Sequence, residues 1–284
     1  MKKEAYQILV LYHARGTYPL RHSVHSHLYC WKEHLKSQVI YSNVAFNIHL
    51  KLLHSHKFDA IIFDTSYMAM RWRDRQKFLN EKFIHKIEKS KAIKIIIPQD
   101  EFAYGDLISE FCNKAKIDLI LSCANTVDQS RIYKNIVSNQ LTIKRVLAGY
   151  LNNSTVKKVK KLYKPETQKK YDVSYRASSP PYWLGEHALL KMKIAEVFKA
   201  KCTTLKYCQD ISTKEVDVIS GNKWFNFLAN TRAVIGVEGG ASVLDLDGSI
   251  KTKVEKFMIA NPLANFEECR RSCFKNEENT LSLF

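Results

Sequence analysis

Apolar runs and amphipathic segments alternate along the first half of the chain. A continuous apolar run at residues 8–12 predicts a buried strand, and the apolar-rich segments at residues 38–41, 58–63, 92–97 and 117–121 predict four more strands. Helical spacing of apolar residues predicts helices between them, at residues 24–35, 48–56, 73–89 and 105–114. Strands that alternate with helices in this way are typical of a parallel, doubly wound α/β sheet. We therefore expect residues 1–150 to form one α/β domain.

The same rhythm restarts after a basic, helical and proline-containing segment at residues 141–170. The next predicted strands are residues 171–175, 203–208 and 232–237, and the next predicted helices are residues 186–200, 223–230 and 250–260. This pattern predicts two Rossmann-like domains with parallel sheets, residues 1–150 and 171–284, joined by a basic linker at residues 151–170. Two such domains that face a cleft make the GT-B arrangement, which is the α/β fold we expect.

Composition favours a folded chain, because 45% of the 284 residues are hydrophobic and only 9 are glycine and 6 proline. The first residues are polar, and no stretch approaches the roughly 20 apolar residues that span a membrane. We therefore expect a cytoplasmic protein. The 7 cysteines are scattered, which favours reduced thiols, and no second Cys or His pair stands at zinc spacing beside Cys269 and Cys273. No metal and no cofactor are expected.

The chain is strongly basic, with 45 Lys and Arg against 28 Asp and Glu and a net charge of +17. Such a field attracts nucleic acid, anionic lipid or phosphorylated substrates, although a lysine-rich solvated surface explains a single run equally well. Lysines concentrate between the two predicted domains, at positions 157, 158, 160, 161, 164, 169 and 170. A charged linker, or a patch for peripheral contact with the inner face of the cell membrane, is expected there.

Ligands of open parallel sheets bind beyond the carboxyl ends of the strands, so the polar residues after each strand form the candidate site. In the first domain the candidates, with one residue from the first helix, are His13, Arg15, His27, Asp64, Asp100 and Glu101. Asp100 or Glu101 is a candidate general base for an acceptor hydroxyl; the alternative is that one of them caps the following helix. The other four are candidate acceptor-binding residues, although any one histidine is more often structural or exposed.

In the second domain, residues 234–242 would bring a strand to a loop with two consecutive glycines. Gly239 and Gly240 let the backbone approach a ligand, and Ser242 would lie in a helical turn whose N–H groups suit a diphosphate. Glu238 fits a ribose or sugar hydroxyl and is a candidate catalytic residue. The alternative is a tight structural turn in which Glu238 caps a helix.

Two cations of the second domain are candidates for binding the donor phosphates. Arg176 ends the first predicted strand of that domain and can pair bidentately with a phosphate. Lys191 on the next helix is a second cation, although it also suits a solvated helix position. Asp245 and Asp247 form an Asp-x-Asp after a turn, where capping or a hydroxyl contact is favoured over a metal ion.

Seven segments together resemble a known protein family, and they stand at residues 63–67, 98–101, 170–177, 182–185, 210–212, 224–228 and 236–248. The most specific of them reads Gly-Val-Glu-Gly-Gly-Ala-Ser-Val-Leu-Asp-Leu-Asp-Gly. The chain resembles GT-B-type, group 1-like bacterial glycosyltransferases associated with surface-polysaccharide gene clusters. The resemblance implies acceptor binding in the first domain, nucleotide-sugar binding in the second, and no essential metal. It assigns Glu238 and the two glycines to the donor site and Asp100 to the cleft.

The expected function is therefore transfer of a sugar from a nucleotide-sugar donor to a lipid-linked or glycan acceptor. The alternatives are a basic nucleic-acid-binding protein and a non-catalytic scaffold subunit. No helix-turn-helix, zinc finger or aromatic RNA-binding motif stands in the sequence, so specific nucleic-acid binding is not expected. Family members continue beyond this length, and a strand is predicted to begin near residues 280–284, so a truncated second domain is expected.

Overall fold

The computed structural model describes residues 5–16, 20–150 and 152–274. The chain divides into two compact units. Unit 1 comprises Met1–Tyr150 and Asp245–Gly248, and unit 2 comprises Leu151–Leu244 and Ser249–Phe284. The strand predicted to begin near residues 280–284 lies outside the described residues.

Unit 1 is built on a six-stranded sheet with the order β2-β1-β3-β4-β5-β6, in which every neighbouring pair is parallel. Its strands are β1 Gln7–Tyr12, β2 Gln38–Asn43, β3 Ala60–Phe63, β4 Ile93–Ile96, β5 Leu119–Ser122 and β6 Thr142–Arg145. Its helices are α1 His22–His34, α2 Ile48–Ser55, α3 Thr65–Met68, α4 Arg75–Phe78, α5 Glu81–Lys89, α6 Gly105–Ala115 and α7 Thr126–Ile132.

The unit 1 core forms because the central strands are apolar on both faces. Leu9, Val10 and Leu11 are consecutive residues of β1, and all three are fully buried. An aromatic cluster packs on one face of the sheet, with ring centroids between 5.0 and 6.2 Å apart; its members are Phe63, Tyr67, Phe78, Phe83 and Phe111. Burial of each such ring stabilises the fold by about 1.5–3 kcal/mol. The ends of these strands are therefore held on a rigid support.

The short segment Asp245–Gly248 belongs to unit 1, whereas the sequence pattern assigned it to the second domain. Its backbone explains the difference. Asp245 forms a parallel bridge with Ala103, and the Tyr104 N–H donates to the Asp245 carbonyl at 2.8 Å. The Asp106 N–H donates to the Leu246 carbonyl at 3.1 Å. These are contacts between segments far apart in sequence, which no local pattern reveals.

Unit 2 contains a three-stranded parallel sheet with the order β8-β7-β9. Its strands are β7 Tyr171–Arg176, β8 Gln209–Ser212 and β9 Thr231–Val234, and its helices are α8 Asn153–Lys161, α9 Glu186–Thr204, α10 Asn222–Ala229, α11 Ser249–Ala260 and α12 Phe266–Cys273. One apolar cluster joins Tyr175 and Ile211 of the sheet to Ala195 and Cys202 of α9. A second cluster joins α11 to α12 through residues that include Val254 and Cys269.

The predicted α/β fold with parallel sheets is confirmed, and several elements differ from the prediction. The predicted helix at residues 73–89 is two helices, because Asp74 caps α4 and Asn80 caps α5 through their side chains. Strand β6 and helix α7 were not predicted; β6 is an edge strand with mostly exposed side chains, so it lacks the apolar signal of a buried strand.

The strand predicted at residues 203–208 is wrong. Helix α9 continues to Thr204, whose hydroxyl donates to the Ala200 carbonyl, and the strand begins only at Gln209. The helical turn predicted at Ser242 is also wrong, because the chain is irregular there and α11 begins at Ser249. Within the described ranges, no helix has the length and apolar character needed to cross a membrane.

Candidate functional site

The order of the strands identifies the edge of each sheet where a ligand would bind. In unit 1 the chain runs from β1 outward to β2 and then returns to β3 on the other side of β1. In unit 2 it runs from β7 to β8 and then returns to β9 on the other side of β7. A reversal of this kind opens a crevice beyond the carboxyl ends of the two strands that flank it. The candidate edges are therefore β1/β3 in unit 1 and β7/β9 in unit 2.

The loop after β1 is held in place by side chains from two neighbouring segments. The His13 N–H donates to Ser66 Oγ at 3.3 Å. Asn43, at the end of β2, accepts from the Ala14 N–H at 3.2 Å and donates to the Ala14 carbonyl at 2.7 Å. These hydrogen bonds fix the backbone that presents His13 and Arg15, two of the predicted acceptor-binding residues.

Asp64, the residue directly after β3, is almost fully buried and faces His27. Its Oδ1 accepts from the Ser66 N–H at 2.9 Å and from the Ser66 hydroxyl at 2.6 Å. Its Oδ2 lies 3.4 Å from His27 Nδ1, and the side chains of His27 and Asp64 are 25% and 1% exposed. Neither of these two atoms has a hydrogen bond within the described residues. A buried carboxylate next to a partly exposed imidazole is the arrangement that orients a histidine general base.

The charge of Asp64 is also felt by a neighbouring thiol. Burial, followed by the negative charge of Asp64, raises the pKa of Cys30 to about 11. Cys30 is therefore a neutral thiol at neutral pH and not a nucleophile.

His13 lies among cations at the same edge. Burial lowers the pKa of His13, and the positive charges of Arg15, Arg73 and Lys77 lower it further, while Asp74 opposes them. His13 is therefore neutral at pH 7, in a place that attracts negative charge. The structure thus brings His13 and Arg15 to one edge of the sheet together with His27 and Asp64.

Asp100 stands on a strained loop after β4. Gln99 and Asp100 both have left-handed backbone conformations, with φ of 43° and 51°. The buried Arg71 guanidinium holds this loop, since its Nη2 donates to the Gln99 and Asp100 carbonyls at 2.9 and 2.8 Å. Burial lowers the pKa of Arg71 to about 10, which leaves it charged at neutral pH. The Asp100 side chain is exposed on this support, so it stays a candidate base.

The general-base role predicted for Glu101 needs correction. Glu101 is 1% exposed. Its Oε2 accepts from the Cys123 and Ala124 N–H groups at 2.9 and 3.3 Å, and its Oε1 accepts from the Tyr133 hydroxyl. Burial and the adjacent carboxylate raise the pKa of Tyr133, so the phenol keeps the proton that it donates. These contacts give Glu101 a structural role, tying the β4 loop to the β5 loop.

In unit 2, the loop after β9 places Lys191 beside a glycine. Strand β9 ends at Val234, so Glu238 lies in an irregular loop instead of directly after the strand. Glu238 is exposed. A Cβ atom on Gly239 would lie 3.6 Å from Lys191 Cε and 3.8 Å from Lys191 Nζ. Gly240 has φ of 121°, a conformation that glycine adopts readily. Three predicted donor-binding residues are thus brought together: Lys191, Gly239 and Gly240.

Ser242 is buried, and its hydrogen bonds anchor this loop. Its N–H donates to the Leu184 carbonyl at 2.9 Å, and its Oγ accepts from the His187 N–H at 3.3 Å. His187 lies in the first turn of α9, so Ser242 satisfies one of the N–H groups that a helix leaves unpaired. The donor-binding role predicted for Ser242 is therefore replaced by a structural one.

The phosphate-binding role predicted for Arg176 also needs correction. Its Nη2 pairs with Asp210 Oδ1 at 2.5 Å, and its Nη1 donates to the Tyr175 and Asp210 carbonyls at 2.9 and 2.8 Å. Its Nε donates to the Asp217 carbonyl at 3.2 Å, and its guanidinium lies 4.7 Å from the Phe227 ring centroid. With its donors engaged in this way, Arg176 joins β7 to β8 and α10.

Sequence reasoning missed the residues that hold the candidate site. Ser66 had a detectable signal, since an Asp followed two residues later by Ser at the end of a strand is typical of a helix cap. Arg71 had none, because it stands in a run with Arg73 and Arg75 that reads as a solvated face.

Among the residues that the structure describes, no group of three or more His, Cys, Asp or Glu side chains could hold a metal ion. Comparison of the chain with protein-family models, with curated proteins and with solved structures finds no match.

Proposed function

We propose that this chain is a glycosyltransferase that takes a sugar from a nucleotide-sugar donor. The observation that carries the proposal is that Lys191 lies beside Gly239 at the β7/β9 edge, with the exposed Glu238 one residue away. A cation beside a side-chain-free backbone suits a phosphate, and a nearby carboxylate suits sugar or ribose hydroxyls. The resemblance of residues 236–248 to bacterial glycosyltransferases supports the same assignment.

Lys191 is the donor-binding cation of this proposal, in place of Arg176. Its ammonium group neutralises a diphosphate oxygen while the Gly239 and Gly240 backbone approaches the same group closely. Glu238 accepts hydrogen bonds from donor hydroxyls, because an exposed carboxylate repels phosphate but attracts O–H groups. The site thus has a cation for the phosphates of a nucleotide sugar and a carboxylate for its hydroxyl groups.

The acceptor is assigned to the β1/β3 edge of unit 1, with His27 as its general base and Asp100 as the second candidate. The acceptor hydroxyl oxygen attacks the anomeric carbon, and its proton passes to His27. The bond from that carbon to the donor phosphate oxygen breaks, and the nucleotide leaves with the electron pair. Asp64, 3.4 Å from His27 Nδ1, then stabilises the imidazolium that forms.

The GT-B arrangement, in which the two units bind donor and acceptor across a cleft, belongs to the proposal. So do the lipid-linked or glycan acceptor, surface-polysaccharide synthesis, a cytoplasmic location and independence from metal. The parallel sheets of both units support the GT-B arrangement. The resemblance supports the acceptor class, the pathway and the independence from metal, and the scattered cysteines support the location.

Peripheral contact with an anionic membrane surface is proposed for α8. The exposed apolar side chains here include Val159 on the helix and Tyr163 just after it, which are 46% and 74% exposed. With Phe225 and Leu228 of α10 they line a groove of about 470 Å³, and lysines 160, 164 and 169 also line it. An apolar stripe beside lysines is typical of a helix that lies on anionic lipid.

Donor binding is tested with a panel of uridine, guanosine, thymidine and cytidine sugar nucleotides in saturation-transfer NMR. We expect at least one to bind, and Lys191→Gln to weaken it about tenfold or more, because a charged hydrogen bond is worth about 1.5–3 kcal/mol. Lys193→Gln is the matched control, since Lys193 is exposed on the same helix. Failure of every nucleotide sugar to bind would reject the donor site.

The base assignment is tested by turnover with the donor that binds. His27→Gln should lower kcat by about 10²-fold or more without changing donor affinity. His25→Gln, an exposed neighbour on α1, is the control. Equal kcat in the two variants would exclude His27 as the base.

Membrane contact is tested by flotation with two kinds of vesicle, one made of a neutral lipid and one that contains anionic phosphatidylglycerol. Replacing lysines 157, 160 and 161 by Gln should weaken anionic-vesicle binding about 100-fold, at about 1 kcal/mol per lysine. The matched control replaces lysines 193, 199 and 201 of α9, which are also exposed. The same loss in both variants would mean that net charge, not α8, governs binding.

A further inference from the structure

Unit 1 contains a cavity of about 280 Å³ next to the β1/β3 edge, and its polar lining is basic. The polar residues that line it are His13, Arg15, Asn47, His49, Lys77 and Asn80. No carboxylate side chain is among its lining residues. A concave site with several convergent donors and no lining carboxylate favours a negatively charged ligand.

The amino terminus of α2 contributes to this cavity. Asn47, the residue before the helix, has a left-handed conformation with φ of 56°, and its side chain makes no capping hydrogen bond. The first turn of α2 contains no acidic residue. The first N–H groups of a helix have no intrahelical partner, and the helix dipole adds partial positive charge there. This end of α2 is therefore suited to an anion.

His49, in the first turn of α2, independently points to a ligand. It lines the cavity and is 5% exposed, yet its Nδ1 has no hydrogen bond in the described part of the chain. Its ring is fixed edge-on against Phe83, with centroids 5.1 Å apart. Burial, and then the charge of Lys86, lowers the pKa of His49. A buried polar atom without a partner is costly, and a ligand oxygen would satisfy it.

The charges around the cavity have a positive balance. Arg15 and Lys77 line it, and together with Arg73 they lower the pKa of His13 after burial. Asp74 is the opposing charge that acts on His13, and it pairs with Lys77 at 2.7 Å on the surface. Arg15 is exposed at the mouth of the cavity, where a guanidinium can meet two oxygens of one oxyanion.

We propose that this cavity binds a phosphoryl group, with His49 Nδ1, the α2 amino terminus and Arg15 as its principal ligands. A tetrahedral group with several oxygens can meet several donors at once, which a planar carboxylate does less well. Phosphoryl binding here needs neither a nucleotide sugar nor any step of the proposed transfer. The phosphoryl group could belong to a small sugar phosphate or to the headgroup of a lipid.

The test is an NMR titration of the full chain with inorganic phosphate, glucose 1-phosphate and decyl phosphate, each against chloride. We expect saturable shifts of the His49 and His13 imidazole signals. Arg15→Gln and His49→Phe should each weaken binding about tenfold or more, since each removes one donor to a charged oxygen. Lys82→Gln, exposed on α5, is the matched control and should leave the affinity unchanged.

Tighter binding of glucose 1-phosphate identifies a soluble sugar phosphate as the source, and tighter binding of decyl phosphate identifies a lipid headgroup. Absence of saturable binding for all three probes, or an equal affinity for Arg15→Gln and the parent chain, would overturn the proposal. Arg15 is exposed, so this variant reports on the site even if His49→Phe unfolds. Nucleotide-sugar binding through Lys191 is measured separately, so failure of either site is recognised independently of the other.

Discussion

Replacement of Gly185 by alanine should displace the candidate donor loop. Gly185 precedes α9 and has φ of 83° and ψ of −175°, a conformation that is essentially restricted to glycine. A Cβ atom there would clash with Ser242 Oγ and would lie 2.8 Å from Val243 Cγ2. Both neighbours are buried, so neither can move away without shifting the loop that carries Glu238 and Gly239.

Two terms set the size of the effect. A side chain in this backbone region costs about 1–3 kcal/mol. Forcing an extra carbon into a packed site costs about another 1–3 kcal/mol. The expected loss in the free energy of unfolding is therefore about 4 kcal/mol, which lowers Tm by about 10 °C or more.

Two other glycines of unit 2 separate the two terms. Gly221 has φ of 60°, but no atom lies within 4 Å of its added Cβ, so Gly221→Ala should show the strain alone. Gly236 has neither a positive φ nor a close neighbour, so Gly236→Ala should change stability by less than about 0.5 kcal/mol. Calorimetry gives Tm for the three variants, and saturation-transfer NMR gives their donor affinity.

Equal Tm values for the Gly185 and Gly221 variants would refute the clash with Ser242. A Gly185 variant that loses stability but keeps its nucleotide-sugar affinity would show that the position of Ser242 does not affect donor binding. Only the joint loss of stability and donor affinity agrees with a loop that is anchored by Ser242.

Three further changes test unit 1. Arg71→Met should lower the free energy of unfolding by about 3 kcal/mol in urea titrations, because it leaves the buried Pro98 and Ala103 carbonyls of the β4 loop unpaired. Glu101→Gln should cost about 1–2 kcal/mol in the same assay and leave nucleotide-sugar affinity unchanged, as expected for a structural carboxylate. Stability should fall as pH drops below 6.5, because the unfolded chain then binds a proton that His49 resists in the folded state; His49→Phe should flatten this dependence.

These expectations have clear contrary results. Urea midpoints that coincide for Arg71→Met and the parent chain would show that the loop does not depend on the guanidinium. Lost nucleotide-sugar binding in Glu101→Gln would return this residue to the functional site. A pH dependence that persists in His49→Phe would assign it to other groups, His13 first among them.

The candidate residues after β1 and β3 were accessible from the sequence, because a buried strand followed by polar residues marks the carboxyl edge of a parallel sheet. Their partners were not. The contact of Asp64 with His27 joins β3 to α1 across 37 positions of the sequence numbering, at 3.4 Å, and local periodicity carries no information on such pairs. For the same reason, the sequence could not show which of Asp100 and Glu101 is available as a base. Only packing shows that Asp100 is exposed and Glu101 is buried.

The sequence by itself determined the α/β class, the parallel sheets and most of the strands, because these depend on local apolar patterns and on the alternation of strand and helix. Tertiary structure alone decided which charged groups are available to a ligand. Arg176 and Glu101 lie at or after the ends of strands, where ligand-binding residues would lie. Each is instead hydrogen-bonded to a segment that is distant in sequence. The unpaired His49 Nδ1 is seen only once α2 is packed against α5, where the His49 ring meets Phe83. Availability of a polar group depends on its neighbours in space, which the order of residues does not specify.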